Sequence, residues 1–124
     1  MKNLLIAATM LLLSACATAI PQPEEKSALV IFSSDPTSVL VASKVNGRAV
    51  DHGHYFKVSP GHNTLEVLVV ADMGQESTMH KFASIDFSEF TSAATYRINL
   101  AERGANKALQ LFDDEGNLLG ERII

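Results

Sequence analysis

The chain lacks tryptophan altogether and has two tyrosines and one cysteine in 124 residues. So few large aromatics leave no obvious platform for stacking a sugar. A lone cysteine excludes an internal disulfide, so the fold must rest on a packed core, which a domain near a hundred residues can supply. Positive charge is also scarce: ten Lys and Arg stand against fourteen Asp and Glu, for a net charge of −4. The basic residues are scattered singly from Lys26 to Arg122. Phosphate backbones are bound by clusters of Lys and Arg, so nucleic acid is excluded as a partner. No Gly-x-Ser-x-Gly elbow presents a serine nucleophile. Ser33, Ser34, Ser59 and Ser77 instead fall in turns, where a hydroxyl caps the backbone. A non-catalytic protein without a cofactor is expected. A long apolar run is missing too. Even read generously, the first one ends at Ile20 before Pro21-Gln22-Pro23-Glu24-Glu25, short of the uninterrupted span of about 20 residues that a membrane helix needs.

What is present begins with Met1-Lys2-Asn3, one positive charge, followed by an uncharged apolar stretch from Leu4 to Leu13. This is the layout of a secretory signal. Leu13-Ser14-Ala15-Cys16 then places small residues directly before the cysteine and resembles the lipobox of bacterial prolipoproteins. That resemblance implies diacylglycerol on the Cys16 sulfur, cleavage before it, and a membrane anchor. The expected layout is a signal peptide over 1–15, an acylated Cys16 with a flexible tether over 16–27, and one domain over 28–124. Loss of Lys2 leaves nine basic against fourteen acidic side chains, about −5 for the mature chain. Ala17 is not an acidic retention residue. The resemblance therefore implies a cell-envelope location, in the outer membrane facing the periplasm if the cell is Gram-negative.

Beyond the tether, short β-type runs alternate with turn signals, and no helical period is sustained. Ala28–Phe32 is a continuous apolar run, and 39–45 alternates, with Val39, Val41, Ser43 and Val45 on one face. Asn46-Gly47 predicts a tight hairpin into Arg48-Ala49-Val50. Tyr55–Val58 forms a further strand, Ser59-Pro60-Gly61-His62-Asn63 a turn, and 64–70 a central strand expected to be covered on both faces. A polar loop over 71–77, a half-buried strand over 78–87, a connector over 88–92 and a strand over 96–100 follow. A break at 102–106 and a last hairpin, 108–112 with 118–124 around Asp113-Asp114-Glu115-Gly116-Asn117, complete the chain. The pattern predicts an all-β fold, a small antiparallel β-sandwich of about eight strands.

Val45-Asn46-Gly47-Arg48 followed by Val58-Ser59-Pro60-Gly61-His62-Asn63-Thr64-Leu65-Glu66-Val67 resembles the PEGA-like small β-domains of bacterial envelope lipoproteins. The similarity covers 39–70 and extends loosely to Ala94-Thr95-Tyr96-Arg97-Ile98. It implies a transthyretin-like or immunoglobulin-like sandwich that serves as a binding or spacing module.

Few residues carry chemistry. His52, His54 and His62, with Asp51 as an oxygen donor, are the candidate rim of a ligand or metal site, although no pattern of supporting residues accompanies them. Asp113, Asp114, Glu115 and Asn117 lack the spacing of a calcium loop and read as an exposed hairpin tip. Glu66 and Asp86 are a cross-sheet carboxylate pair of the sort that arises by chance. Two functions follow from the residues. One is a protein-interaction or structural module that meets an envelope protein partner through a sheet edge or loops. The other is a small-ligand, glycan or metal binder, which requires the histidine loops to converge on a concave site near Tyr55 and Phe56.

Overall fold

In the computed structural model, residues 26–33, 36–74 and 76–124 are described, and the lipobox cysteine Cys16 lies outside them. Among the described residues nine strands follow in order: β1 (Ala28–Phe32), β2 (Ser38–Val45), β3 (Arg48–Ala49), β4 (Tyr55–Val58), β5 (Gly61–Gly74), β6 (Ser77–Phe90), β7 (Thr95–Arg103), β8 (Asn106–Phe112) and β9 (Leu118–Ile123). They form two sheets, ordered β4-β1-β7-β8-β9 and β3-β2-β5-β6. The sheets pack face to face as the expected sandwich. All strand pairs are antiparallel except β1 with β7, which run parallel with Val30 opposite Tyr96. That pair joins strands far apart in sequence, so no local turn announced it.

The core is the sum of the inward faces. On β5 the residues Leu65, Val67, Val69 and Ala71 are buried in alternation, and they meet Ala83 and Ile85 of β6, Leu40 and Ala42 of β2, and Val30, Phe56, Ile98, Leu109 and Leu111 of the other sheet. At one end, Phe90 stands edge-on to both Phe87 and Tyr96. The Tyr96 hydroxyl accepts a hydrogen bond from the Thr91 amide at 2.8 Å, which ties the β6–β7 corner to the start of β7.

Several boundaries differ from the sequence expectation. The polar stretch over 71–77 is not an open loop, because β5 and β6 each extend to 14 residues and pair as far as Gly74 with Ser77. The connector at 88–92 begins inside β6, where Phe90 is buried. A bulge between Ala42 and Lys44 shifts the phase of β2. Leu40 and Ala42 therefore face the core before the bulge and Val45 packs on it afterwards, leaving Val39 and Val41 on the outer face. β5 is central within its sheet, yet no strand among the described residues covers its second face, where Leu68 and Val70 are half-buried.

The two flanks of the sandwich differ. On one, β9 approaches β6, and Gly120 packs against Ile85 and the Asp86 carbonyl. On the other, β2 touches β4, and the segment after β3 follows the β2 edge through Val50 N to Ser43 O and Ala42 N to Gly53 O.

Candidate functional site

Asn46 and Gly47 adopt φ values of 51° and 82°, the left-handed pair of a type I′ turn, which the Asn-Gly dipeptide accommodates at little cost. This hairpin is fixed to the next turn by side chains as well as backbone. Asn46 Oδ1 accepts from the Thr64 amide at 2.8 Å, and Asn46 Nδ2 donates to Asn63 Oδ1 at 3.0 Å. Asn63 Nδ2 in turn donates to the Ser59 carbonyl at 2.7 Å. Asn63 is 1% exposed, a buried carboxamide whose nitrogen and oxygen both have partners. The sequence placed Asn63 in a surface turn; the structure begins β5 at Gly61 and turns this side chain inward.

These turns frame a concavity of about 720 Å³ on the β2/β4 flank, within the usual size range of small-molecule sites. Arg48, Asp51, His52, Tyr55, Lys57 and Asn63 are among its walls. His52 stacks on Tyr55 with ring centroids 5.6 Å apart and planes 27° apart. The alternation of β4 explains the arrangement: Phe56 and Val58 turn into the core, while Tyr55 and Lys57 stay on the other face.

The three histidines are placed separately. His52 lines the concavity, whereas His54 and His62 do not. His62 is exposed on β5, with Nε2 3.9 Å from Asp86 Oδ1. Among the described residues, no three His, Cys, Asp or Glu side chains group closely enough to hold a metal ion. Glu66 and Asp86 lie diagonally on the outer face, since Glu66 pairs with Ser84 and Thr64 with Asp86. Each has a hydroxyl donor: Ser43 Oγ to Glu66 at 2.9 Å, and Thr64 Oγ1 to Asp86.

The Asp113 tip is a self-contained turn. Its carboxylate accepts from Asn117 Nδ2 at 3.0 Å and from the amides of Asn117 and Glu115 at 2.9 and 3.0 Å. The Asn117 side chain, followed by its amide, holds the Asp113 carboxyl below the usual range. Glu121 on β9 is also lowered, first by Gln110 and then by Arg103, whose guanidinium reaches Glu121 Oε2 at 2.7 Å.

A second surface was not anticipated from the residues. Cross-strand register aligns Val41, Leu68 and Phe82 in one row and Val39, Val70 and His80 in the next, all on the outer face of the β3-β2-β5-β6 sheet. Val39 and Phe82 are each 59% exposed. The rows end at β6, the terminal strand of that sheet, which hydrogen-bonds to no further strand beyond β5 among the described residues, although β9 of the other sheet approaches it. The alternation of 78–87 was legible, but the alignment of Val41, Leu68 and Phe82 depends on register, which only the fold supplies.

No family model matches the chain, and neither a curated protein nor a solved structure matches it.

Proposed function

We propose that this chain is a lipid-anchored cell-envelope protein that acts without catalysis, as a docking module for an extended segment of an envelope protein partner. Cys16 would carry the lipid and 16–27 the tether, with the sandwich standing off the membrane. The lipobox likeness at 13–16 and the PEGA-like pattern over 39–70 support that assignment.

The observation that carries the docking role is the β6 edge. Edge strands in monomeric proteins are usually short, interrupted or covered. β6 runs for 14 residues, contains no proline, and keeps its register with β5 without a shift from Asn63–Phe87 to Asp72–Thr78. Gly120 of β9 packs at Asp86, while Phe82, further along β6, is 59% exposed on the outer face. An extended backbone can pair with a whole row of edge amides and carbonyls in register, so the occupant that fits this edge is a β-strand. Such a strand extends the Val41–Leu68–Phe82 row by one position, and an apolar residue there covers Phe82. The partner segment therefore has alternating apolar residues.

The test is site-specific photocrosslinking in cells that express the full chain, with the photoreactive residue at Phe82 or, as control, at Glu115. A discrete adduct at 82 that disappears on a second substitution, Ser84→Pro, is expected. Equal crosslinking at 115, or none at 82, contradicts docking at β6. The anchor is tested separately: Cys16→Ser should stall the chain at precursor mass or release it from membranes. An unchanged mass and membrane fraction would refute acylation.

A further inference from the structure

The concavity on the β2/β4 flank lies away from β6 and has its own chemistry. The chain as a whole carries an excess of four acidic side chains, yet the guanidinium of Arg48 lines this cavity, with Asp51 as its one carboxylate and Lys57 and the imidazole of His52 among its other walls. Arg48 has no ion-pair partner among the described residues. A planar guanidinium facing a cavity is suited to a carboxylate, which it holds through two parallel hydrogen bonds. Asp51 argues against a bare anion, which it would repel. It suits a ligand that also carries hydroxyl groups, because a carboxylate is a pure acceptor for them. The His52–Tyr55 stack adds a flat apolar wall, the element that composition alone did not reveal. The Asn46–Asn63–Ser59 hydrogen bonds hold the turns on either side of the cavity together, so the walls are set before a ligand arrives.

We infer that this cavity is a binding site for a sugar acid, with the ligand carboxylate on Arg48, its hydroxyls on Asp51, and one face of its ring against the His52–Tyr55 stack. About 720 Å³ accommodates one or two sugar rings. The site is independent of β6, and a strand docked there leaves it open.

The experiment is a titration of the full chain, uniformly ¹⁵N-labelled in detergent micelles, with glucuronate, glucose or inorganic phosphate, read from backbone amide shifts. Saturable shifts confined to residues around 46–63 are expected with glucuronate, with affinity about tenfold or more above that for glucose, the loss that goes with one charge-assisted contact. Arg48→Gln should weaken glucuronate by a similar factor and leave the remaining spectrum in place, whereas Arg122→Gln should change nothing. Asp51→Asn should weaken glucuronate while improving phosphate. The inference is overturned if glucuronate gives no saturable shifts at these residues, if glucose or phosphate binds equally well, or if Arg48→Gln has no effect.

Discussion

Asn63 is the position at which one atom's exchange tests most of the local structure. It is 1% exposed, and it accepts from Asn46 Nδ2 at 3.0 Å while donating to the Ser59 carbonyl at 2.7 Å. Asn63→Ala removes both bonds, each worth about 1 kcal/mol net, and leaves a small void, for a total of about 2–3 kcal/mol. In a domain of this size that lowers Tm by about 10 °C or more. Asn63→Asp is more informative because the shape is kept. One carboxylate oxygen still accepts from Asn46, but the other takes the place of a donor that sits 2.7 Å from a carbonyl oxygen. A buried charge without its partner costs about 3–5 kcal/mol. Burial and the opposing carbonyl both raise the pKa of that carboxyl in the folded state. The unfolded state then releases its proton at lower pH than the folded state does, so the penalty is complete above the raised folded pKa. It shrinks as pH falls toward the ordinary aspartate value, where the protonated oxygen again donates to Ser59. Thermal unfolding followed by circular dichroism at pH 7 and pH 4.5 should show the Asn63→Asp variant far below the wild type at the first pH and closer to it at the second. Equal stability at pH 7, or a deficit that does not shrink on acidification, would refute the inward placement of Asn63.

Leu109→Ala, at a fully buried position, should cost about 2–5 kcal/mol, whereas Phe82→Ser, on the outer face, should change stability by no more than about 0.5 kcal/mol; denaturant unfolding measures both. Gly53→Ala should destabilise by about 1–3 kcal/mol by the same assay, because a Cβ there would lie 2.8 Å from Cγ1 of Val41, a β-branched side chain with little freedom to turn away. Asp113 and Glu121 have lowered carboxyl pKa values, so their contribution is complete above the ordinary carboxylate range near pH 4 and is lost as pH falls through their lowered values. Acid unfolding should accordingly be shallower in the double variant Asp113→Asn, Glu121→Gln.

The strands were readable where alternation and turn residues coincide. Asn46-Gly47 fixes its hairpin through backbone preference, and Leu65, Val67 and Val69 declare a core face by period alone. Three features escaped because they depend on partners distant in sequence. The parallel β1–β7 pairing joins Leu29 to Thr95. The β2 bulge near Ser43 moves Val45 to the core side only in register with β5. The inward turn of Asn63 requires Asn46 and Ser59 to be already in place. Of the site, His52 was legible as a loop residue beside Tyr55, but His54 and His62 do not join it. The histidine spacing carried no information about direction, which the strand pleat and the two turns decide. Arg48 and Lys57 give no signal in the sequence, because single basic residues in an acidic chain become a site only when two hairpins bring them to one cavity.

Docking at β6 is tested most directly by hydrogen exchange, comparing the full chain extracted from its own envelope in mild detergent with the same chain purified alone. Strand addition predicts that amides within 77–84 gain protection in the envelope extract, while those of the 113–117 tip exchange equally fast in both. Identical exchange at 77–84 in the two samples would contradict the proposal.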